Sequence, residues 1–442
     1  MTNMTATPAT PATPASAAST TPSLADTTHP EGAADVLRTT TAVRERANAL
    51  VARARAGQST WFTVNDAAMA SAAAEVAAVT RSNYPKLAIP YHSRWRHFEA
   101  GGVDRKAALD SHLAQATAPE RARTYIDLAV VSVLLDAGAG ADWKYTEGRI
   151  DSGAQTFSRS EGLGVASYHA FMAGLFSSDR NQPLRVDAKG LRGLAADHLA
   201  AAFQVGPENP LVGLDGRVVL LRRLGETMAA QPEVFGPDGR PGGLFDVLIS
   251  PHGPDVAPTA DVAAHDILSQ LLVSLSGIWP AANTLGGVPL GDCWRHPDVR
   301  GEGLTNRWMP FHKLSQWLTY SLLEPFEWAG VKVRGLDALT GLPEYRNGGL
   351  FIDAGVLQFK DPNVLRGSWK AGDELIVEWR ALTVALLDEL APLVRHDLKL
   401  DAARMPLACV LEGGTWATGR VLAQRLRGGT PPLNIVSDGT VF

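Results

Sequence analysis

The chain has 442 residues, with 41 Lys+Arg against 46 Asp+Glu for a formal charge of −5, two cysteines and 45% hydrophobic residues. This composition predicts a soluble, enzyme-sized globular protein and removes the electrostatic drive for general binding to nucleic acid or anionic membranes. Cys293 and Cys409 are too few for a disulfide framework or a four-thiolate zinc site, so a reducing compartment is the simplest setting.

Residues 1–32 are dominated by Thr, Ala, Pro and Ser and lack core-forming side chains, which predicts a disordered tail. Deleting the residues before about 30 is therefore expected to leave melting temperature and turnover nearly unchanged. No basic n-region or apolar h-region precedes Arg38, and apolar runs such as Leu128 to Leu135 fall well short of the ~20 residues of a membrane span. A cytoplasmic location without membrane attachment is expected.

From Asp35 helical spacing takes over, first to Ala56, then from Asn65-Asp66 to about Val79. Further helices are predicted over Pro119–Leu135, Ser160–Phe176, Asp187–Phe203, Leu211–Ala230, Asp261–Ile278, Pro310–Glu327, Asp373–Val394 and Met405–Leu426. Strand signals are confined to Val331–Val333, Leu350–Leu357, Asn434–Val436 and Thr440–Phe442. The expected fold is mainly α with a small β element: residues 33–442 form a single helical catalytic unit, or two lobes meeting near 205–260.

No phosphate loop, dinucleotide fingerprint, Gly-x-Ser-x-Gly elbow, His-Glu-x-x-His or paired Cys-x-x-Cys occurs. Asp292-Cys293-Trp294-Arg295-His296 brings a thiol near an imidazole, but with no third spaced ligand no metal is expected.

Polar chemistry gathers in three stretches. Tyr84 to Phe98 interleaves Lys86, His92, Arg94, Arg96 and His97 with aromatic rings on a proline-stiffened backbone, which suits an anionic, ring-bearing ligand; structural ion pairs are the alternative. Ser158-Arg159-Ser160-Glu161-Gly162 opens a helix whose free N–H groups would welcome an oxyanion, or is simply a loop and cap. Gly341 to Gly355 sets Glu344 and Asp353 around an Asn-Gly-Gly bend, as catalytic carboxylates or as turn and capping groups. Glu412-Gly413-Gly414-Thr415-Trp416 has the same character. His312 and Gln316, four apart, read as core packing.

These stretches, together with Ser437 to Phe442, resemble a large family of proteins of unknown function whose fungal member is encoded by the fourth gene of the URC uracil-catabolism pathway. The resemblance implies a route in which uracil becomes its ribonucleotide, the ring is opened, and a ribosylurea species is carried to urea. The family is in turn distantly similar to the queuosine-salvage N-glycohydrolases, which implies a helical, DNA-glycosylase-like fold. Those enzymes carry Asp-Tyr-Arg where this chain has Glu344-Tyr345-Arg346, a difference that bears on the role of Glu344.

The resemblance implies an N-glycoside hydrolase that cleaves a ribosylurea-type, ring-opened nucleotide to urea and ribose or ribose phosphate. An oxocarbenium-like transition state asks for a carboxylate at the sugar and a proton donor to the leaving nitrogen. Asp353, ahead of Glu344, is expected to supply the charge or activate water, and His92 the proton. Arg94, Arg96 and Arg159 are expected to hold a 5′-phosphate, with Trp95, Tyr345 or Trp416 as walls and Arg346 as a further substrate-binding residue. The expected partner is a small ribosyl molecule, with no nucleic acid, metal or redox cofactor. Two rivals are an amidohydrolase acting on the ureido nitrogen and a non-catalytic protein that binds the intermediate.

Overall fold

The computed structural model describes residues 25–148, 153–250, 260–279 and 283–436. The expected tail as far as residue 24, the Thr440–Phe442 strand and the Ser437–Phe442 motif lie outside them. Residues 25–32 are described: Thr27 O accepts the Leu304 N–H at 2.9 Å, and Pro30 opens the first helix, α1 (Pro30–Leu37).

Sequence periodicity and caps account for most of the helices. Thr39 accepts the Ala42 N–H and starts α2 (Thr40–Arg55), so the expected single helix from Asp35 breaks there. It is followed by α3 (Met69–Asn83) and by α4 (Ala118–Leu134), which has a full Thr117/Glu120 capping box. Next come α5 (Arg159–Met172), α6 (Leu214–Ala229), α7 (Ala264–Ser274), α8 (Lys313–Trp328), α9 (Tyr345–Asp353), α10 (Glu374–Leu398) and α11 (Trp416–Arg427). The helix expected over Asp187–Phe203 is two short ones, Ala188–Arg192 and Ala196–Ala202, parted at Gly193.

Three helices are buried around their full circumference over much of their length and form the centre. In α4 every residue from Thr124 to Leu134 is buried, in α8 every residue from Leu314 to Leu323, and in α10 every residue from Leu375 to Leu387. Helix α4 packs on α8, while α2, α3 and α9 pack on α10. Buried apolar residues from Val43 to Leu433 form one contiguous cluster, and a satellite cluster joins α1 to Leu285, Leu290 and Trp308. The polar groups inside α10 are matched, as desolvation requires: Arg380 makes a two-point pair with Asp292 at 2.7 Å, and Ser59 donates to Glu378.

The β structure among the described residues consists of two-stranded pairs, some of which clip distant segments together, such as Phe62–Val64 with Leu357–Phe359 and Asp261–Ala263 with Lys332–Arg334. The fold is mainly α with small β elements. One strand expectation fails. Leu350 to Asp353 is the second half of α9, because Glu344 caps a helix across the Asn-Gly-Gly bend. Gly348 is there for packing: a Cβ would stand 2.7 Å from the Trp379 indole, whose Nε1 donates to Gly348 O at 3.1 Å. Among the described residues no helix is long and apolar enough to cross a membrane.

Candidate functional site

After α3 ends at its cap Tyr84, the chain turns at Pro85, where the Leu87 N–H donates to Tyr84 O at 2.9 Å, and runs through Pro90 to His92, whose backbone N–H is held by Ala408 O at 3.0 Å. His92 Nδ1 meets Glu412 Oε2 at 2.7 Å, and the other oxygen of Glu412 accepts from Tyr84 Oη at 2.9 Å. Glu412 sits in a π-helical turn, Leu411–Thr415, that leads into α11. The turn fits against α3 only because residues 413 and 414 are glycines; a Cβ on Gly414 would lie 2.7 Å from Val76 O. The ring centroids of Trp317 and Trp416 are each 6.5 Å from the His92 ring. The Nδ1 contact to a carboxylate leaves Nε2 as the imidazole nitrogen available to a ligand.

Glu344 caps α9, accepting from the Arg346 N–H at 2.8 Å and the Asn347 N–H at 2.5 Å. Burial pushes its carboxyl above the ordinary range, and the two amides, Lys313 and His92 oppose that shift. Burial also lowers the Lys313 ammonium, against the attraction of Glu344 and Asp136. Lys313 starts α8, directly after His312, whose left-handed backbone (φ 50°) makes the sharp entry.

Asp136 follows α4 and pairs with Arg94 at 3.2 Å. Arg94 is completely buried, bonded to Ser132 Oγ at 2.6 Å and Ser160 O at 3.2 Å, and lies 5.6 Å from the centroid of the Trp317 ring. Burial, with Arg94 and His92 alongside, holds His97 well below the ordinary imidazole value, so it is neutral. The Tyr345 phenol feels Glu344, Arg346, Arg159 and Asp136 together. The result is a half-buried group of carboxylates, one ammonium, imidazoles and guanidiniums among Trp317, Tyr345 and Trp416, built from the ends of α4, α5, α8 and α9 and the turn before α11. Several donors in it have no partner among the described residues: Arg94 Nη2, Arg346 Nε and Nη1, and Trp317 Nε1.

The structure thus brings together His92, Glu344, Tyr345, Arg346, Arg159, Trp416 and, through Asp136, Arg94. It does not bring the rest. Trp95 is buried against Phe98, Tyr125 and Trp328, with its indole N–H on Ser321 O at 3.0 Å, so it belongs to the core and not to a ligand wall. Arg96 is engaged by Glu324 at 2.8 Å and Glu99 at 3.3 Å, the structural alternative for this residue. Asp353, at the other end of α9 from Glu344, is held at 2.6 Å through both oxygens by Arg427, which corrects its expected place as the leading carboxylate.

Lys313, Asp136 and Trp317 join the site without being singled out by the sequence. Asp136 carries the one sequence signal, a charge abutting the apolar run Leu128–Leu135; Lys313 and Trp317 sit in a stretch of mixed polar and apolar residues. Among the described residues no group of three His, Cys, Asp or Glu could hold a metal. Burial raises the Cys293 thiol, leaving it protonated.

Comparison with known proteins gives a family and two relatives. The family model described as "Protein of unknown function (DUF1688)" matches residues 36–442. Uracil catabolism protein 4 of Lachancea kluyveri is 42% identical over 380 residues, covering 80% of this chain and 85% of that protein. Protein urg3 of Schizosaccharomyces pombe is 42% identical over 360 residues, covering 80% and 84%.

Proposed function

Because the chain belongs to the DUF1688 family, we propose that it acts in uracil catabolism as an N-glycoside hydrolase, cleaving a ribosylurea-type product of the opened ring to urea and the ribosyl sugar. The observation that supports this most is the His92–Glu412 pair set beside Glu344 between two indole rings.

In this reading the bond between the anomeric carbon and the urea nitrogen breaks with its electron pair going to nitrogen, and His92 Nε2 delivers the proton that makes urea a competent leaving group. Glu412 at Nδ1 stabilises the imidazolium before transfer and fixes the ring. Positive charge building on the sugar is countered by Glu344. Water then bonds to the anomeric carbon and its proton passes to a carboxylate, Glu344 or the neighbouring Asp136. Trp317, Trp416 and Tyr345 exclude bulk water from the charge separation. Asp353 has no part in this scheme.

The test is incubation of the purified protein with ribosylurea and with its 5-phosphate, with products identified by mass spectrometry. Urea and the free sugar appearing together, in equal amounts, is the expected result. Carbamate or ammonia in place of urea would instead show an amidohydrolase, and tight binding without turnover a carrier of the intermediate.

A further inference from the structure

The remaining buried arginines of this protein are mostly answered by acceptors. Arg105 has Glu147 and two carbonyls, Arg217 four carbonyl contacts, Arg380 has Asp292, and Arg94 has Asp136; Arg46 also keeps a donor, Nη1, without a partner among the described residues, but it lies by Gly301 and Cys293, outside the candidate site. Arg346 is different. It is 3% exposed, yet its Nε and Nη1 have no hydrogen-bond partner among the described residues and no carboxylate pairs with it there. Its guanidinium instead lies 4.9 Å from the centroid of the Tyr345 ring. A buried guanidinium left in this state carries its desolvation cost uncompensated, which persists in a folded protein when a ligand supplies the missing anion.

A second guanidinium acts on the same tyrosine. Arg159 is exposed, makes no ion pair or hydrogen bond among the described residues, and acts electrostatically on the Tyr345 phenol. Its backbone is left-handed (φ 53°), a sterically disfavoured state for a residue with a Cβ, at the first position of the fourteen-residue α5. Ser158 does not cap that helix with its side chain, so the N-terminal dipole of α5 adds positive potential beside Arg159. The carboxylates nearby are already balanced: Asp136 is paired with Arg94, and Glu344 faces two backbone amides and Lys313.

We propose that Arg346, set against Tyr345, and Arg159, at the start of α5, bind the phosphate of a 5-phosphorylated ribosyl substrate, so that the site selects sugar phosphates over free sugars. This rests on reading the site as one for a ribosyl group. It moves the anion contact from Arg94 and Arg96, which the protein's own carboxylates occupy, to two guanidiniums that no carboxylate pairs with among the described residues. Planar guanidinium donors match the oxygens of a phosphate monoester in pairs, and the Tyr345 ring keeps the Arg346 plane oriented toward such a ligand.

Calorimetric titration of the full-length protein with ribose and with ribose 5-phosphate tests this without any need for turnover. The phosphate should improve binding by roughly 100-fold, and Arg346→Gln or Arg159→Gln should each remove roughly 10-fold or more of that preference, the scale of one charge-assisted contact. Because Arg159 is exposed, Arg159→Gln keeps the question answerable if Arg346→Gln does not fold. Equal affinity for the two sugars, or a preference that survives in every folded variant, overturns the assignment. If ribosylurea and its 5-phosphate both prove inert while the phosphate preference is present and arginine-dependent, the anion site stands and the hydrolase reading falls. Release of urea without any gain from the phosphate keeps the hydrolase and removes the anion site.

Discussion

Glu344→Gln is expected to fold, to bind the ribosyl ligand and to lose turnover by ~10²-fold or more, the usual scale for removing a positioned acid/base group or charge partner. The substitution keeps the size of the side chain and an oxygen that accepts from the start of α9, so the cap on Arg346 and Asn347 is weakened but not removed. That change costs about 1 kcal/mol or less, as cap replacements generally do. What it deletes is the negative charge beside Lys313 and His92. A charge that counters the oxocarbenium state contributes to the transition state far more than to ground-state binding, so the fall belongs in kcat while KM stays within a few-fold. Single-turnover kinetics with ribosylurea 5-phosphate and a melting curve separate the possibilities. Turnover near that of the parent would remove Glu344 from the mechanism, and a loss of turnover matched by a loss of folded protein would reduce it to a cap.

The polar stretch from Tyr84 to Phe98 shows how far the sequence reaches toward this site. It marks a segment that contributes His92 to the candidate site because donors and aromatic rings are unusually dense there, but density does not say which way each side chain points. Trp95 to Phe98 is a single helical turn, and successive residues on a helix point about 100° apart. His92, at the bend before it, meets Glu412; Trp95 turns into the core; Arg96 turns to Glu324. A candidate-site residue and a structural ion pair are both present in one run of residues, and local geometry divides them.

Asp136, Lys313 and Trp317 are beyond a linear reading for a different reason. They come from opposite ends of α4 and α8, and only the packing of these two buried helices on each other makes them neighbours. The strand expected over Leu350–Leu357 has a third cause. Leu350, Phe351 and Ile352 carry strand propensity, but the Glu344 cap commits the backbone to helix several residues earlier, and tertiary packing of Gly348 on Trp379 holds it there.

Asp353→Asn, by contrast, is expected to cost stability and to spare turnover. The Asp353 side chain is 1% exposed and binds Arg427 through both oxygens at 2.6 Å. An uncharged amide would leave the Arg427 guanidinium short of its countercharge. Breaking a buried pair costs ~3–5 kcal/mol, but Arg427 is 27% exposed and partly screened, so about 2 kcal/mol is the expected loss here. The pair ties the last residue of α9 to the last residue of α11, helices whose first turns carry Tyr345 and Trp416 at the site. Between these ends the helices touch closely, since any Cβ on Gly419 would collide with Arg346 O. Asp353 therefore holds two candidate-site helices together at their far ends, its charge matched there by Arg427. A lowered melting temperature with turnover per folded molecule within a few-fold of the parent is the expected outcome. A double-mutant cycle with Arg427→Gln should show the double variant less destabilised than the two single changes added together, because removing both partners also removes the buried charge that Arg427→Gln alone leaves behind. The converse result for Asp353→Asn, an unchanged melting temperature with turnover down ~10²-fold, would return Asp353 to the reaction and displace Glu344 as its leading carboxylate.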